Sequence, residues 1–268
     1  MPGSRTRLIR IIAGAVACMI FISCACCSPT ISSPKTPQPA NTLDVTAQVS
    51  VSNQSPDADV FAAFFQFGKE LEFAAGEKVE CDGQPLPFES NILYSIFSTL
   101  NGGYHGLVPK LPKGQAYRFT YTPGGSLPAA TLKVPVPFET FPIIAPTPGT
   151  TLSLRQPLVI QLGPGPIPQG SVDITLEDAS HYQYPPITYD AASSITIPAS
   201  QLAETITPPP PPTPLPGQPA APPPHQFAPG SGALDLTLTI DTHPATSAFA
   251  AAETKYIIAD SIPVTWTT

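Results

Sequence analysis

The chain has 268 residues, of which 38 are Pro and 18 Gly, while charged residues make up only 12% and apolar ones 42%. Pro at nearly three times its usual share of about 5%, together with so few Glu and Lys, excludes a coiled coil or helix bundle. Twelve basic against nineteen acidic residues exclude a nucleic-acid partner, and the apolar share excludes a fully disordered chain.

In chain order, the first element is an export segment. Arg5, Arg7 and Arg10 precede an uncharged apolar run at 11–22. Twelve residues of helix reach about 18 Å, short of a bilayer core of about 30 Å, so the run reads as an export signal and not a spanning anchor. It ends in Phe21-Ile22-Ser23-Cys24. That ending resembles the lipobox of bacterial lipoproteins, with Phe21 where Leu is usual. The resemblance implies cleavage after Ser23 and lipidation of Cys24. Cys18 would shorten the apolar run to about seven residues, and Cys26 and Cys27 have poor upstream context, although either could carry a further acyl chain or a disulfide. Cleavage removes three Arg and no acid, leaving nine cations against nineteen acids. Attraction to anionic headgroups is then disfavoured, and anchoring must come from the lipid. Cys81 alone remains in the body, which excludes a disulfide framework or a thiolate zinc site there.

Residues 24–41 are Ser/Thr/Pro-rich and read as a disordered tether. Residues 43–52 (LDVTAQVSVS) alternate strictly, the pattern of a half-buried antiparallel strand. Residues 59–67 (DVFAAFFQF) are apolar on both faces, so Phe61, Phe64, Phe65 and Phe67 read as core. Short strands follow around Leu71, Val79 and Cys81, with a hairpin turn at Asp82-Gly83. Residues 91–100 fit either helix or strand. Strands at 106–109, 117–121 and 131–136 bring the count to about seven, the spacing of a β-sandwich. In residues 111–119, Leu111, Gly114, Tyr117 and Phe119 stand in the arrangement of a tyrosine corner. This resembles immunoglobulin-like and fibronectin type III domains, and it implies that the Tyr117 hydroxyl ties the preceding crossover to its strand.

A second set begins near Phe141: strands at 151–154, 158–162, 172–176, 195–198, 234–240, 256–258 and 262–266. The fold expected is all-β, two immunoglobulin-like antiparallel β-sandwiches after a signal peptide (1–23) and tether (24–41). Their limits are 42–138 and 139–268, and the second carries a disordered Pro-rich insert at 207–230. That insert must be largely polyproline II and reads as an expanded surface loop.

Catalytic motifs are missing: there is no G-x-S-x-G, H-E-x-x-H, Walker A, dinucleotide fingerprint or EF-hand loop. His105, His181, His225 and His243 are scattered without ligand-spaced partners, and His105 reads as a loop residue. Asp57 with Asp59, and Glu177 with Asp178, read as solvated turns, since calcium needs more oxygen ligands than either pair offers. No catalytic residue, metal or cofactor is assigned. The expectation is a non-enzymatic envelope protein held to a membrane by a lipid anchor, with an envelope protein or a glycan as partner. The alternative is a carbohydrate-binding accessory or surface hydrolase on the same scaffold.

Overall fold

Period-two runs bounded by Pro and Gly turns give strands as the dominant element of the computed structural model, which describes residues 31–53, 55–90, 102–138, 141, 143–163, 167, 169–207, 225–242, 244 and 247–268. The export segment with Cys18, Cys24, Cys26 and Cys27, the ambiguous run at 91–100, most of the Pro-rich insert and His243 lie outside the described residues.

The first half contributes β1 (Ile31–Ser32), a 3-10 turn at Ala40–Thr42, β2 (Asp44–Ser52), β3 (Asp57–Gln66) and β4 (Lys69–Leu71). Then come β5 (Lys78–Cys81), β6 (Gln84–Pro85), β7 (Phe88–Ser90), β8 (Gly102–Pro109), β9 (Ala116–Thr122) and β10 (Ala130–Pro135). Strands β2, β3, β8 and β7 lie side by side, all antiparallel, and β10, β9, β5 and β6 form the facing sheet. This is the ABED and GFC strand order of an immunoglobulin-type sandwich, with β6 added beside β5. Val45, Ala47, Val49 and Val51 of β2 are buried and their neighbours are not, as the alternation requires. Tyr117, Phe119 and Tyr121 point inward from β9, and Leu132 and Val134 from β10. The Tyr117 hydroxyl accepts the Leu111 N–H at 3.0 Å, the bond expected of a tyrosine corner.

The second half adds β11 (Ile143–Ala145), β12 (Thr151–Ser153), β13 (Leu158–Leu162), β14 (Gly170–Glu177), β15 (Ile187–Asp190) and β16 (Ser194–Ile197). Helix α1 (Ala199–Thr205), which period-two reading does not reveal, precedes β17 (Gly230–Asp241) and β18 (Ala251–Thr267). Strands β11, β13 and β16 form one sheet. The other runs β18, β17, β14, β15, with β12 parallel to the end of β18.

The two sandwiches are not joined by a linker alone. Residues 256–258 and 262–266, read as two strands, are one strand of 17 residues. One edge of β18 pairs with β17 along that strand's full length; the other pairs with β2 in parallel register, from Ala251 opposite Asp44 to Ala259 opposite Ser52. Both halves therefore share one continuous 11-stranded sheet and one buried apolar cluster. Phe249 lies 6.0 Å from Phe64 between ring centres, and the Tyr256 hydroxyl donates to the Phe138 carbonyl at 2.8 Å.

The segment read as tether is laid against this body from Ile31 onward. Strand β1 pairs with β4, Ala40 is buried, and the Gln38 carbonyl accepts from the Tyr121 hydroxyl at 2.9 Å. Pro34, Pro37 and Pro39 preset an extended backbone, so these few bonds suffice to hold it. Among the four Phe residues read as core, Phe61 and Phe64 are buried and Phe65 is partly so, but Phe67 is 93% exposed. Phe67 and Gly68 form the β3–β4 hairpin turn with φ of 52° and 74°, which ends the strand one residue earlier than the apolar run does.

Candidate functional site

Outward-facing residues of the β5–β9–β10 sheet surround an open pocket of about 650 Å³, lined by Asp82, Gly114, Gln115, Arg118, Thr120 and Lys133 among others. Local structure fixes each wall. The Asp82-Gly83 turn, read correctly as a hairpin, has φ of 49° and 80° at its two central residues. Asp82 Oδ1 accepts the Arg118 N–H at 3.2 Å. On the opposite side, the Gly114 N–H donates to the Val136 carbonyl and the Val136 N–H to the Gln115 carbonyl, at 3.0 and 2.8 Å. Alternation along β9 sends Tyr117, Phe119 and Tyr121 inward and leaves Arg118 and Thr120 outside.

Arg118 stands directly opposite Lys133 in the β9–β10 register. Like charges at such a position repel. Among the described residues neither has a carboxylate within ion-pair distance. Cys81, on the inner side of the same sheet, is shut off from this chemistry: burial, aided by the nearby Asp82 charge, pushes its thiol up to about 12.

A second polar cluster sits where the Pro-rich insert rejoins the fold. Asp178 is fully buried, not a solvated turn residue. Its Oδ1 accepts the Ser180 hydroxyl at 2.6 Å and the Ser180 and Tyr182 N–H groups at 2.9 and 3.2 Å. Its Oδ2 accepts His225 Nε2 at 2.7 Å, the Ala228 N–H at 3.0 Å and the Tyr184 hydroxyl at 3.1 Å. Burial alone would raise this pKa. The bonds from His225, from Ser180 and from the Ala228 and Ser180 N–H groups outweigh it and hold the carboxyl well below the ordinary range. Tyr182 stacks on His225 at 4.1 Å, and Phe227 meets Tyr184 and Trp266.

Ser180, His225 and Asp178 are the residue types of a hydrolytic triad, but not its wiring. Ser180 donates to Asp178, and Asp178 and Ser180 meet the same imidazole nitrogen, the latter at 3.4 Å. That nitrogen gives its proton to a carboxylate and has no lone pair left to take one from a hydroxyl. The cluster acts as a clamp holding His225–Ala228 to the β14–β15 connection.

His105 lies on β8 rather than in a loop, with Nε2 2.9 Å from Asp59 and Nδ1 3.3 Å from Glu89. Asp57 and Asp59 lie within β3 and not in a turn. His181 meets Glu177 at 2.8 Å. Three histidines read as lacking ligand-spaced partners therefore meet acids: strand pairing brings His105 to residues 16 and 46 positions away, His225 reaches Asp178 47 positions back, and His181 meets Glu177 only four positions away across the turn. Among the described residues no group of three or more His, Cys, Asp or Glu is placed to hold a metal ion. Nor, among them, is any helix long and apolar enough to cross a membrane.

The pocket residues escape motif reading, yet a charge signal marks them. Between Ser90 and Glu139 the sequence contains no Asp or Glu, while Lys110, Lys113, Arg118 and Lys133 fall within that stretch. No protein-family model matches the chain, and no curated protein matches it either.

Proposed function

We propose that the chain is an exported, lipid-anchored, non-catalytic envelope protein that binds through its sandwiches. The observation that carries this reading is the N-terminal sequence, three Arg before an uncharged apolar run ending in Phe21-Ile22-Ser23-Cys24, and the shared strand ties the whole described body to it. Nine register pairs between β2 and β18 make the half that follows the anchor and the C-terminal half one body. A lipid on Cys24 would then carry both sandwiches through one short tether, with no hinge between them. The hydrogen-bond wiring of Ser180, His225 and Asp178 supports the non-catalytic part, since it activates no nucleophile. The open pocket above β9 and β10 favours a second reading on the same scaffold, a carbohydrate-binding accessory.

The anchor is tested by expressing the full chain in bacteria fed an alkyne analogue of palmitate. Labelled protein in the membrane fraction is expected, with the label lost in Cys24→Ser. Unlabelled protein recovered from the medium would overturn it.

A further inference from the structure

We infer that the pocket between the Asp82-Gly83 turn and strands β9 and β10 is a binding site for an acidic sugar, a hydroxyl-bearing glycan repeat with one negative charge. The inference rests on the binding-protein reading above, but not on the lipid anchor.

Charge placement comes first. Nineteen acids outnumber twelve cations in the chain, yet the stretch from β8 to β10 has no acid, and two of its four cations face each other across one antiparallel pair. A directly opposed Arg and Lys repel unless an anion sits between them. Their side chains are on the solvent face, and the adjoining backbone is pinned by the Gly114–Val136 and Val136–Gln115 bonds and by Tyr117. The cations are thus held on a supported surface, not on mobile loops.

The remaining lining selects the ligand. Arg118 offers a planar fork and Lys133 a point charge, which together suit a carboxylate or phosphodiester. Asp82, beside Arg118 on the side away from Lys133, repels a ligand charged all over but accepts hydroxyl hydrogens, as the Gln115 side-chain carbonyl and Thr120 also can. None of the nine lining residues is aromatic, so recognition is by hydrogen bonds and charge and not by stacking. A cation pair with one acid beside it fits an oxyanion flanked by hydroxyls. It is too small a basic surface for nucleic acid, which needs a stripe of phosphate contacts.

The test uses purified full chain in isothermal titration calorimetry against three probes: oligogalacturonate, a phosphodiester-linked hexose oligomer and a neutral malto-oligosaccharide. Binding to one or both acidic probes and not to the neutral one is expected, weakening as salt is raised. Arg118→Gln and Lys133→Gln should each weaken it by about tenfold or more. Lys255→Gln, whose charge pairs with Glu253 away from the pocket, should leave it unchanged. Circular dichroism of each variant shows that the fold is intact. Which acidic probe binds identifies the anion as carboxylate or phosphodiester. Failure of both acidic probes, equal binding of the neutral one, or full affinity in the two pocket variants would overturn the site. Absence of palmitate label from the wild-type chain would overturn the anchor alone and leave these titrations standing.

Discussion

Asp178 shows how one side chain decides the behaviour of a region. Six donors converge on a carboxylate that has lost all access to water, and three of them are backbone N–H groups of residues 180, 182 and 228. Asn at this position keeps the size but turns one acceptor into a donor facing donors. Asp178→Asn should therefore cost about 3 kcal/mol, read from the urea midpoint near neutral pH. The pH dependence has a definite sign. The folded pKa lies below the ordinary carboxylate value of about 3.9, so the charged form contributes stability above that value and loses it as pH falls towards the folded pKa. Wild-type protein should lose more stability than Asp178→Asn between about pH 5 and pH 2. Equal losses in the two proteins would remove Asp178 from the acid response. From the sequence this residue read as one half of a solvated Glu-Asp pair. Its burial depends on His225, 47 positions away across the Pro-rich insert, and no local pattern encodes that contact.

At the level of single strands, much was legible because period two reports burial directly. Residues 43–52, 117–121 and 234–240 alternate in sequence and in burial, and the Leu111–Tyr117 spacing announced a hydrogen bond that is present. What alternation cannot report is how closely neighbouring strands approach. Gly232 on β17 passes beneath the Trp266 indole, which donates to the Glu177 carbonyl at 2.8 Å. A Cβ at Gly232 would lie 2.2 Å from that carbonyl oxygen and 2.9 Å from the indole Cδ1. Neither backbone nor a packed indole can give way cheaply. Gly232→Ala should cost about 2 kcal/mol and shift the emission of the one Trp in the chain, both measured in a single fluorescence-monitored unfolding experiment. An unchanged midpoint would mean that β14 and β18 part more easily than their packing implies. The pocket was illegible for a related reason: Arg118 and Lys133 are 15 residues apart and become neighbours only when the β9–β10 register is set.

For the molecule as a whole, β18 changes what counts as a folding unit. Two sandwiches with separate cores joined by a peptide would unfold in separate steps, and either could be excised. Here β2, the first strand of the N-terminal sandwich, takes its outer partner from the last strand of the chain, and Phe249 and Tyr256 reach into contacts with Phe64 and Phe138. Removing residues 139–268 would bare the whole edge of β2, nine residues long and alternating in Val and Ala, which is a template for pairing with other chains. The intact protein should show one calorimetric transition, with the calorimetric enthalpy matching the van't Hoff value. A chain ending at Phe138 should aggregate or fail to give a cooperative transition. Two resolved transitions in the intact protein, or a soluble and cooperatively folded N-terminal fragment, would show that the parallel β2–β18 pairing joins two independent domains without coupling them. Sequence reading puts the boundary of the two sandwiches between residues 138 and 139, on strand spacing and strand count. Pairing between strands about 200 residues apart has no trace in either quantity, so the coupling of the halves could be seen only once the sheet was assembled.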